Sequence, residues 1–292
     1  MRELVSVVIP TYKRSDTLLR AVNSVLNQTY ENIEVVIVDD NDPNDEFSIQ
    51  TQQNLRDSLN DKRIRYILQK KHINGAVARN VGIEASNGEY IAFLDDDDEW
   101  LPDKVRKQVH FLIDKDVEGV SCLYDFYKEG ELLRKGTSIK DDNLMPDILS
   151  RRVQLLAGSS FLCKKRTLKD SGMFDESFTR HQDLQMLIDF LQVGTIRVLQ
   201  EHLVKIHTDS IKNRPNTREL IEVKNHFLTF MRDRIGLLSS KEQKRVYSAH
   251  YFEIVVKALN EKKFHIAIQY LAKIGINIDA YRDVFERYKE RK

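Results

Sequence analysis

The stretch Tyr90-Ile-Ala-Phe-Leu-Asp-Asp-Asp-Asp-Glu-Trp100 decides the fold. A run of strand-forming apolar residues stops abruptly at four carboxylates, Asp95 to Asp98. Such a run reads as a buried strand, and in an open α/β sheet ligands bind just beyond the carboxyl ends of strands. Carboxylates this crowded repel one another unless a cation or several donors neutralise them. All-oxygen ligands select a hard ion such as Mg²⁺ or Mn²⁺, and these ions commonly also hold substrate phosphates. The stretch therefore reads as a metal–diphosphate site at the tip of a central strand. The plainer alternative is a solvated acidic loop, with Asp98 serving as a helix cap ahead of Pro102. An EF-hand calcium loop does not fit, because the sixth position from Asp95 is Trp100 rather than Gly and the twelfth is Arg106 rather than Glu.

Upstream, Leu4 to Ile9 is a strand that stops at Pro10, and Ser15 is placed to cap a helix with Leu18, Leu19, Val22, Val25 and Leu26 on its apolar face. A second buried strand, Ile33 to Val38, runs into Asp39-Asp40-Asn41-Asp42-Pro43. A polar helix over 46–61, a strand over 64–68 and a helix over 75–86 lead back to the aspartate strand. Strands alternating with helices predict parallel pairing through right-handed crossovers. Two strand ends, after Val38 and after Leu94, thus bring carboxylates to one edge of the sheet. Beyond Asp103 the pattern predicts a helix, a strand over 120–127 turning at Lys128-Glu-Gly130, and loop with a short helix over 137–158. A strand over 160–163, a helix over 181–193 and an extended run from Ile196 to Ile206, ending at His207, follow. From about Thr217 only helical spacing remains, over 220–235, 241–259, 264–274 and 281–288.

The 292 residues suffice for one large α/β domain with an appendage, and 41% hydrophobic content supports a sizeable core. A net charge of +1 gives no sign of a nucleic-acid binder. The two cysteines, Cys122 and Cys163, lack Cys-x-x-Cys spacing and read as structural thiols of a reducing compartment. No leader pattern at Met1 and no apolar run of about 18 residues is present, so a cytoplasmic protein is expected. Residues 241–292 carry 12 Lys/Arg against 7 Asp/Glu. That surplus suits a solvated face first, and secondarily a peripheral contact with anionic lipid at the inner face of the membrane. The helical tail is also a candidate self-association surface for a homo-oligomer.

Taken together, Val-Ser-Val-Val-Ile-Pro-Thr-Tyr at 5–12, Val-Val-Ile-Val-Asp-Asp at 35–40, Gly-Ala-Val-Ala-Arg-Asn-Val-Gly at 75–82 and the Asp cluster through 98 resemble a family-two glycosyltransferase of the GT-A fold. The resemblance covers about residues 4–210. It implies an α/β domain over 1–212 with a central, mostly parallel sheet, divided into a nucleotide-sugar half (1–100) and an acceptor half (101–212). Residues 213–292 become a C-terminal helical extension. It also implies a nucleotide-diphosphate sugar donor, a divalent cation (Mn²⁺ or Mg²⁺), inversion at the sugar carbon and a glycan or lipid-linked sugar acceptor in surface polysaccharide biosynthesis.

Residue by residue, the resemblance puts Pro10, Thr11 and Tyr12 along the base pocket, with the Tyr12 ring as a stacking face. Asp40 matches the carboxylate that accepts from the uracil N3–H, with Asp39 beside it. A carboxylate there suits uridine or thymidine and not cytidine. Arg79 faces the nucleotide phosphates, where a guanidinium fork fits. Asp97 is the foremost metal ligand, Asp95 or Asp96 reaches the ribose or a metal-bound water, and His207 sits where some members place a metal-facing histidine. Asp183 is the candidate base that takes the acceptor proton. Gln182 precedes it in place of the usual Glu. The Gln-x-x-Arg-Trp motif of processive members is absent, which implies transfer of a single sugar per encounter. Two other readings compete: a metal-dependent phosphohydrolase, and a non-catalytic nucleotide-sugar-binding partner. The haloacid-dehalogenase form of the first needs its Asp-x-Asp after the first strand of the domain, followed by Gly-Thr, and neither condition holds.

Overall fold

The computed structural model describes residues 3–209 and 215–275. In chain order the elements are β1 (Val5–Thr11), α1 (Ser15–Leu26), β2 (Ile33–Asp39), α2 (Glu46–Leu55), β3 (Ile64–Leu68), α3 (Gly75–Ala85), β4 (Tyr90–Phe93), β5 (Glu99–Trp100), α4 (Lys104–Lys115), β6 (Gly119–Lys128), β7 (Glu131–Lys135), α5 (Leu144–Leu149), β8 (Leu162–Lys164), α6 (Lys165–Asp170), α7 (Gln182–Val193), β9 (Ile196–His207), α8 (Thr217–Phe230), α9 (Arg232–Gly236), α10 (Ser240–Asn260) and α11 (Phe264–Ile274). The helix expected over 281–288 lies outside the described residues.

The chain divides into two compact units, residues 1–141 with 155–210, and residues 142–154 with 211–292. Sequence reasoning assigned 142–154 to the α/β part. They cluster with the helical unit because α5 packs its apolar side on α10.

The first unit is built on a nine-stranded sheet of order β3-β2-β1-β4-β8-β6-β9-β5, with β7 pairing β6. Its first four strands are parallel, as the strand–helix alternation predicts. From β8 onward the sheet is mixed: β8 runs antiparallel to β4 and β6, whereas β9 is parallel to β6. Chain order reverses between β1 and β4, so the switch point where ligands bind in such sheets lies beyond Thr11 and Phe93. Both faces of β1 and β2 are buried, which explains their near-continuous Val/Ile runs. One face is covered by α1 through Leu18, Ala21, Val22 and Val25, and the other by α3. Gly82 lets α3 sit directly on the sheet, since a Cβ there would lie 2.3 Å from Val8 Cγ1.

Local details differ from the sequence reading where caps are concerned. Ser15 is the first residue of α1 and not its cap; Arg14 holds the N-cap position without a side-chain capping bond. The polar stretch after Asp45 is capped by that residue but ends at Leu55, and only a single 3₁₀ turn follows at Ser58–Asn60. Both cysteines are buried free thiols, and burial pushes the Cys122 thiol up to about 11.

The helical unit has its own core of Ile254, Val255, Ala258, Ala267, Tyr270 and Ile274. Its helices α8 and α10 start with full capping boxes, Asn216 with Glu219 and Ser239 with Glu242. The run expected as one helix over 220–235 breaks at Met231. Inside this unit Glu253 is clasped by Lys224 Nζ at 2.5 Å and Arg151 Nε at 2.8 Å. Among the described residues no helix is long and apolar enough to cross a membrane.

Candidate active site at the switch point

The tip of β2 supplies two buried carboxylates with different partners. Asp39 is fully buried; its Oδ1 accepts from Asn41 N (2.9 Å) and Asn41 Nδ2 (2.7 Å), and its Oδ2 accepts from the Tyr66 hydroxyl. Asn41 Oδ1 in turn accepts from Lys13 N at 3.0 Å. Lys13 has φ +56°, a conformation that needs such outside support in a non-glycine residue. Asp39 therefore does not line a pocket beside Asp40, as the sequence suggested. All its lone pairs facing protein are spent on fixing the turn that carries Tyr12.

Asp40 is also buried, and its partners lie on the connection between β3 and α3. Its Oδ1 accepts from Gln69 Nε2 (2.5 Å) and Ile73 N (3.1 Å), and its Oδ2 accepts from His72 Nδ1 (2.9 Å). Burial raises its pKa above the usual carboxylate range, against the lowering pull of the Ile73 amide and His72. The Tyr12 ring stacks on His72 with centroids 3.8 Å apart and planes 13° from parallel. Pro10 lies at the penultimate position of β1, paired with Val38.

Beyond the tip of β4 burial alternates along the aspartates. Asp96 and Asp98 turn into the protein, and Asp95 and Asp97 face the crevice. Asp96 accepts from Thr11 Oγ1 at 2.8 Å and Arg14 Nη1 at 3.2 Å, and its burial pushes its pKa up to about 7. The Thr11 bond ties the β1 tip to the β4 tip across the switch point. Asp98 accepts from Ser159 Oγ (2.5 Å) and His207 N (3.3 Å), and burial together with the Asp95 and Asp97 charges raises its pKa well above normal. It caps no helix; Asp103 precedes α4. Trp100 is buried behind this loop, its indole N–H bonded to Ser159 O at 2.7 Å, so it offers no stacking face to an acceptor. Lys104 Nζ lies 3.7 Å from the Trp100 ring centroid and 2.7 Å from Gln108 Oε1.

The crevice-facing pair meets guanidinium groups. Arg79 Nη2 lies 2.6 Å from Asp95 Oδ1, and Arg14 Nη1 lies 2.7 Å from Asp97 Oδ2. Arg20 Nη2 bonds the Asp97 carbonyl at 2.7 Å. Gly158 is the floor beneath Asp95: a Cβ there would come within 2.5 Å of Oδ2. The first turn of α7 reaches the same place. A Cβ on Gly75 would meet Arg79 Nη1 at 3.0 Å and Gln182 Nε2 at 3.1 Å, so Asp183, next in the chain, belongs to the turn that faces Arg79. Arg79 Nε and Gln182 Oε1 are buried there without hydrogen-bond partners among the described residues, which suits a polar ligand in the crevice.

His207 does not join the acidic pair. Its Nε2 lies 3.2 Å from Glu99 Oε2, and burial and nearby Arg20 lower its pKa. Among the described residues no three His, Cys, Asp or Glu side chains converge as a closed metal cage. Asp95 and Asp97 nonetheless fit a hard divalent ion, since ions of the Mg²⁺ type are held through one or two carboxylates plus substrate phosphates.

Sequence reasoning missed Arg14, Arg20, His72 and Ser159. Arg14 is the N-cap residue of an ordinary amphipathic helix, and only the fold shows that this helix start faces the aspartates. Ser159 lies in a stretch without periodicity.

Comparison with known proteins shows the family. The family model described as "Glycosyl transferase family 2" matches residues 6–172. A UDP-Glc:alpha-D-GlcNAc-diphosphoundecaprenol beta-1,3-glucosyltransferase of Escherichia coli is 30% identical over 76% of this chain and 85% of its own length. An uncharacterized glycosyltransferase of Rickettsia felis is 32% identical over 69% of this chain, which spans only 34% of that protein. The crystal structure of S. aureus TarS 1-349 in complex with UDP-GlcNAc superposes with a TM-score of 0.69 at 16% identity, covering 93% of this chain and 80% of that one. The fold is thus GT-A, the phosphohydrolase reading falls away, and the chain belongs to glycosyl transferase family 2.

Proposed function

We propose that this glycosyltransferase moves a single sugar from a UDP-sugar to a hydroxyl of a glycan or lipid-linked acceptor, with inversion and with Mn²⁺ or Mg²⁺. The observation that carries the reading is the division of labour along one sheet edge. Asp40 and Tyr12 mark a base side, while Asp95, Asp97, Arg79 and Arg14 mark a phosphate side. The relatives named for undecaprenol-linked substrates, from Escherichia coli and Campylobacter jejuni, support a lipid-linked acceptor.

Asp97 and Asp95 would hold the cation, which supplies Lewis acidity to offset the charge on the departing diphosphate. Arg79 and Arg14 add fixed positive charge to the same end. The carboxylate of Asp183 accepts the proton of the acceptor hydroxyl as its oxygen attacks the anomeric carbon from the face opposite the diphosphate. The bond from that carbon to the diphosphate oxygen breaks, its electron pair leaves with UDP, and the configuration inverts. Exposed Phe264 and Ile268 on α11, flanked by Lys262 and Lys273, support attachment to an anionic lipid surface where such acceptors reside.

Calorimetric titration of UDP with and without Mn²⁺, followed by proton NMR of the product linkage, tests the proposal. Metal-dependent UDP binding and an inverted product are expected. Metal-independent binding, or a retained anomer, would refute it.

A further inference from the structure

We propose that His72 is a built-in stand-in for the donor's base: it fills the nucleobase pocket of the free enzyme, and the base must displace it to bind. This rests on the uridine reading above. The imidazole offers Tyr12 and Asp40 what a uracil would offer them, a flat face and an N–H donor. Its centroid lies 3.8 Å from that of Tyr12, with 13° between the planes. That is van der Waals contact, ~3.5–4.0 Å between stacked carbons, so no second ring fits between them. Its Nδ1 lies 2.9 Å from Asp40 Oδ2 and 3.2 Å from the Asp40 carbonyl. An ionised carboxylate only accepts, so this nitrogen carries the hydrogen, as N3 of uracil does.

The surroundings suit a replaceable occupant. His72 sits on the connection between β3 and α3, and its side chain is 37% exposed, against 3% for Asp40. Asp40 Oδ1 is held separately by Gln69 and the Ile73 amide. When the imidazole swings out, those bonds keep the carboxylate aimed while Oδ2 passes to the incoming base. The exchange gives up one stack and one hydrogen bond and regains one of each. Meanwhile, in the free enzyme, the imidazole keeps a buried carboxylate satisfied and the Tyr12 ring in place, conditions that would otherwise cost stability. The consequence is a lowered apparent affinity for any ligand carrying a base, by the fraction of time the pocket is blocked.

The test compares UDP and inorganic pyrophosphate, both with Mn²⁺, on the wild type, His72→Ala and His72→Phe. His72→Ala should bind UDP about three- to tenfold more tightly, with pyrophosphate unchanged because it has no base. His72→Phe keeps the stack without the N–H and should gain less. In proton NMR the His72 ring signals should leave their ring-current-shifted positions on addition of UDP but not of pyrophosphate. Equal or weaker UDP binding by His72→Ala, an equal gain for pyrophosphate, or His72 signals unmoved by UDP would overturn the inference. Asp40→Ala separates the two levels. If UDP binding depends on Asp40 but His72→Ala gains nothing, only the stand-in falls. If UDP binding ignores Asp40, or is absent throughout, both fall.

Discussion

The tips of β2 and β4 solve the same problem with different chemistry. Each crowds aspartates at a strand end, and each spends some as braces (Asp39; Asp96 and Asp98) while pairing others with side chains of neighbouring loops and helices (Asp40 with His72; Asp95 with Arg79; Asp97 with Arg14). At β2 the carboxylate of Asp40 is met by an amide, a side-chain amide and an imidazole. At β4 it is met by guanidinium groups. The first arrangement is suited to a neutral donor such as a base N–H, and the second to exchanging full charges with a cation and a diphosphate. The partners each carboxylate meets, and not the number of acids, set which of them can act.

The sharpest way to break this contrast lies beyond both tips. Asp183→Asn should leave UDP affinity intact and lower transfer by about 10²–10⁴-fold, as loss of a general base does; single-turnover assays with saturating donor would show it, and near-normal transfer would remove Asp183 from the mechanism. Next, Asp97→Ala should abolish the Mn²⁺-dependent part of UDP binding, whereas Asp40→Ala should weaken UDP about ten- to a hundredfold with the metal dependence kept, the size of a lost charge-assisted hydrogen bond. Titration heats that change alike in the two variants would erase the distinction between the tips. Gly158→Ala should act on the β4 side alone, since its Cβ pushes on Asp95; a several-fold weaker pyrophosphate affinity without a change in the base contribution is expected.

The smallest effect concerns the scaffold behind β4. Burial lowers Lys104 from 10.5 to about 8, so the unfolded chain binds the extra proton between those values. Wild-type stability should therefore rise, relative to Lys104→Met, as pH climbs from about 8 toward 10.5, with the full penalty of the buried charge present below 8. Urea denaturation of both proteins at pH 7 and 9.5 would reveal it; a constant difference would mean that the ammonium is not penalised.

Much of this was legible in the sequence. Parallel strands β1 to β4, their acidic ends and the change to helices near Thr217 all follow from periodicity, because β1, β2 and β4 are buried on both faces and the helices on one. The division of the aspartates into braces and ligands was not legible. Asp39 and Asp40 are chemically identical, and only the register that sets Thr11 beside Asp39 and brings Tyr66 and Asn41 to it tells them apart. Arg14 was hidden for a related reason: its partners lie 82 and 83 residues away. The grouping of 142–154 with the helical unit also depends on long-range packing that no local pattern records.

The two sealed-off sulfur atoms have a practical use. Cys122 and Cys163 are buried thiols kept protonated by their surroundings, so maleimides and other alkylating reagents will pass them by in the native protein. A single cysteine introduced on the surface of the 69–74 connection can then carry a fluorophore without prior removal of the native pair. The departure of an imidazole from its aromatic partner becomes a signal that can be timed in a stopped-flow mixer.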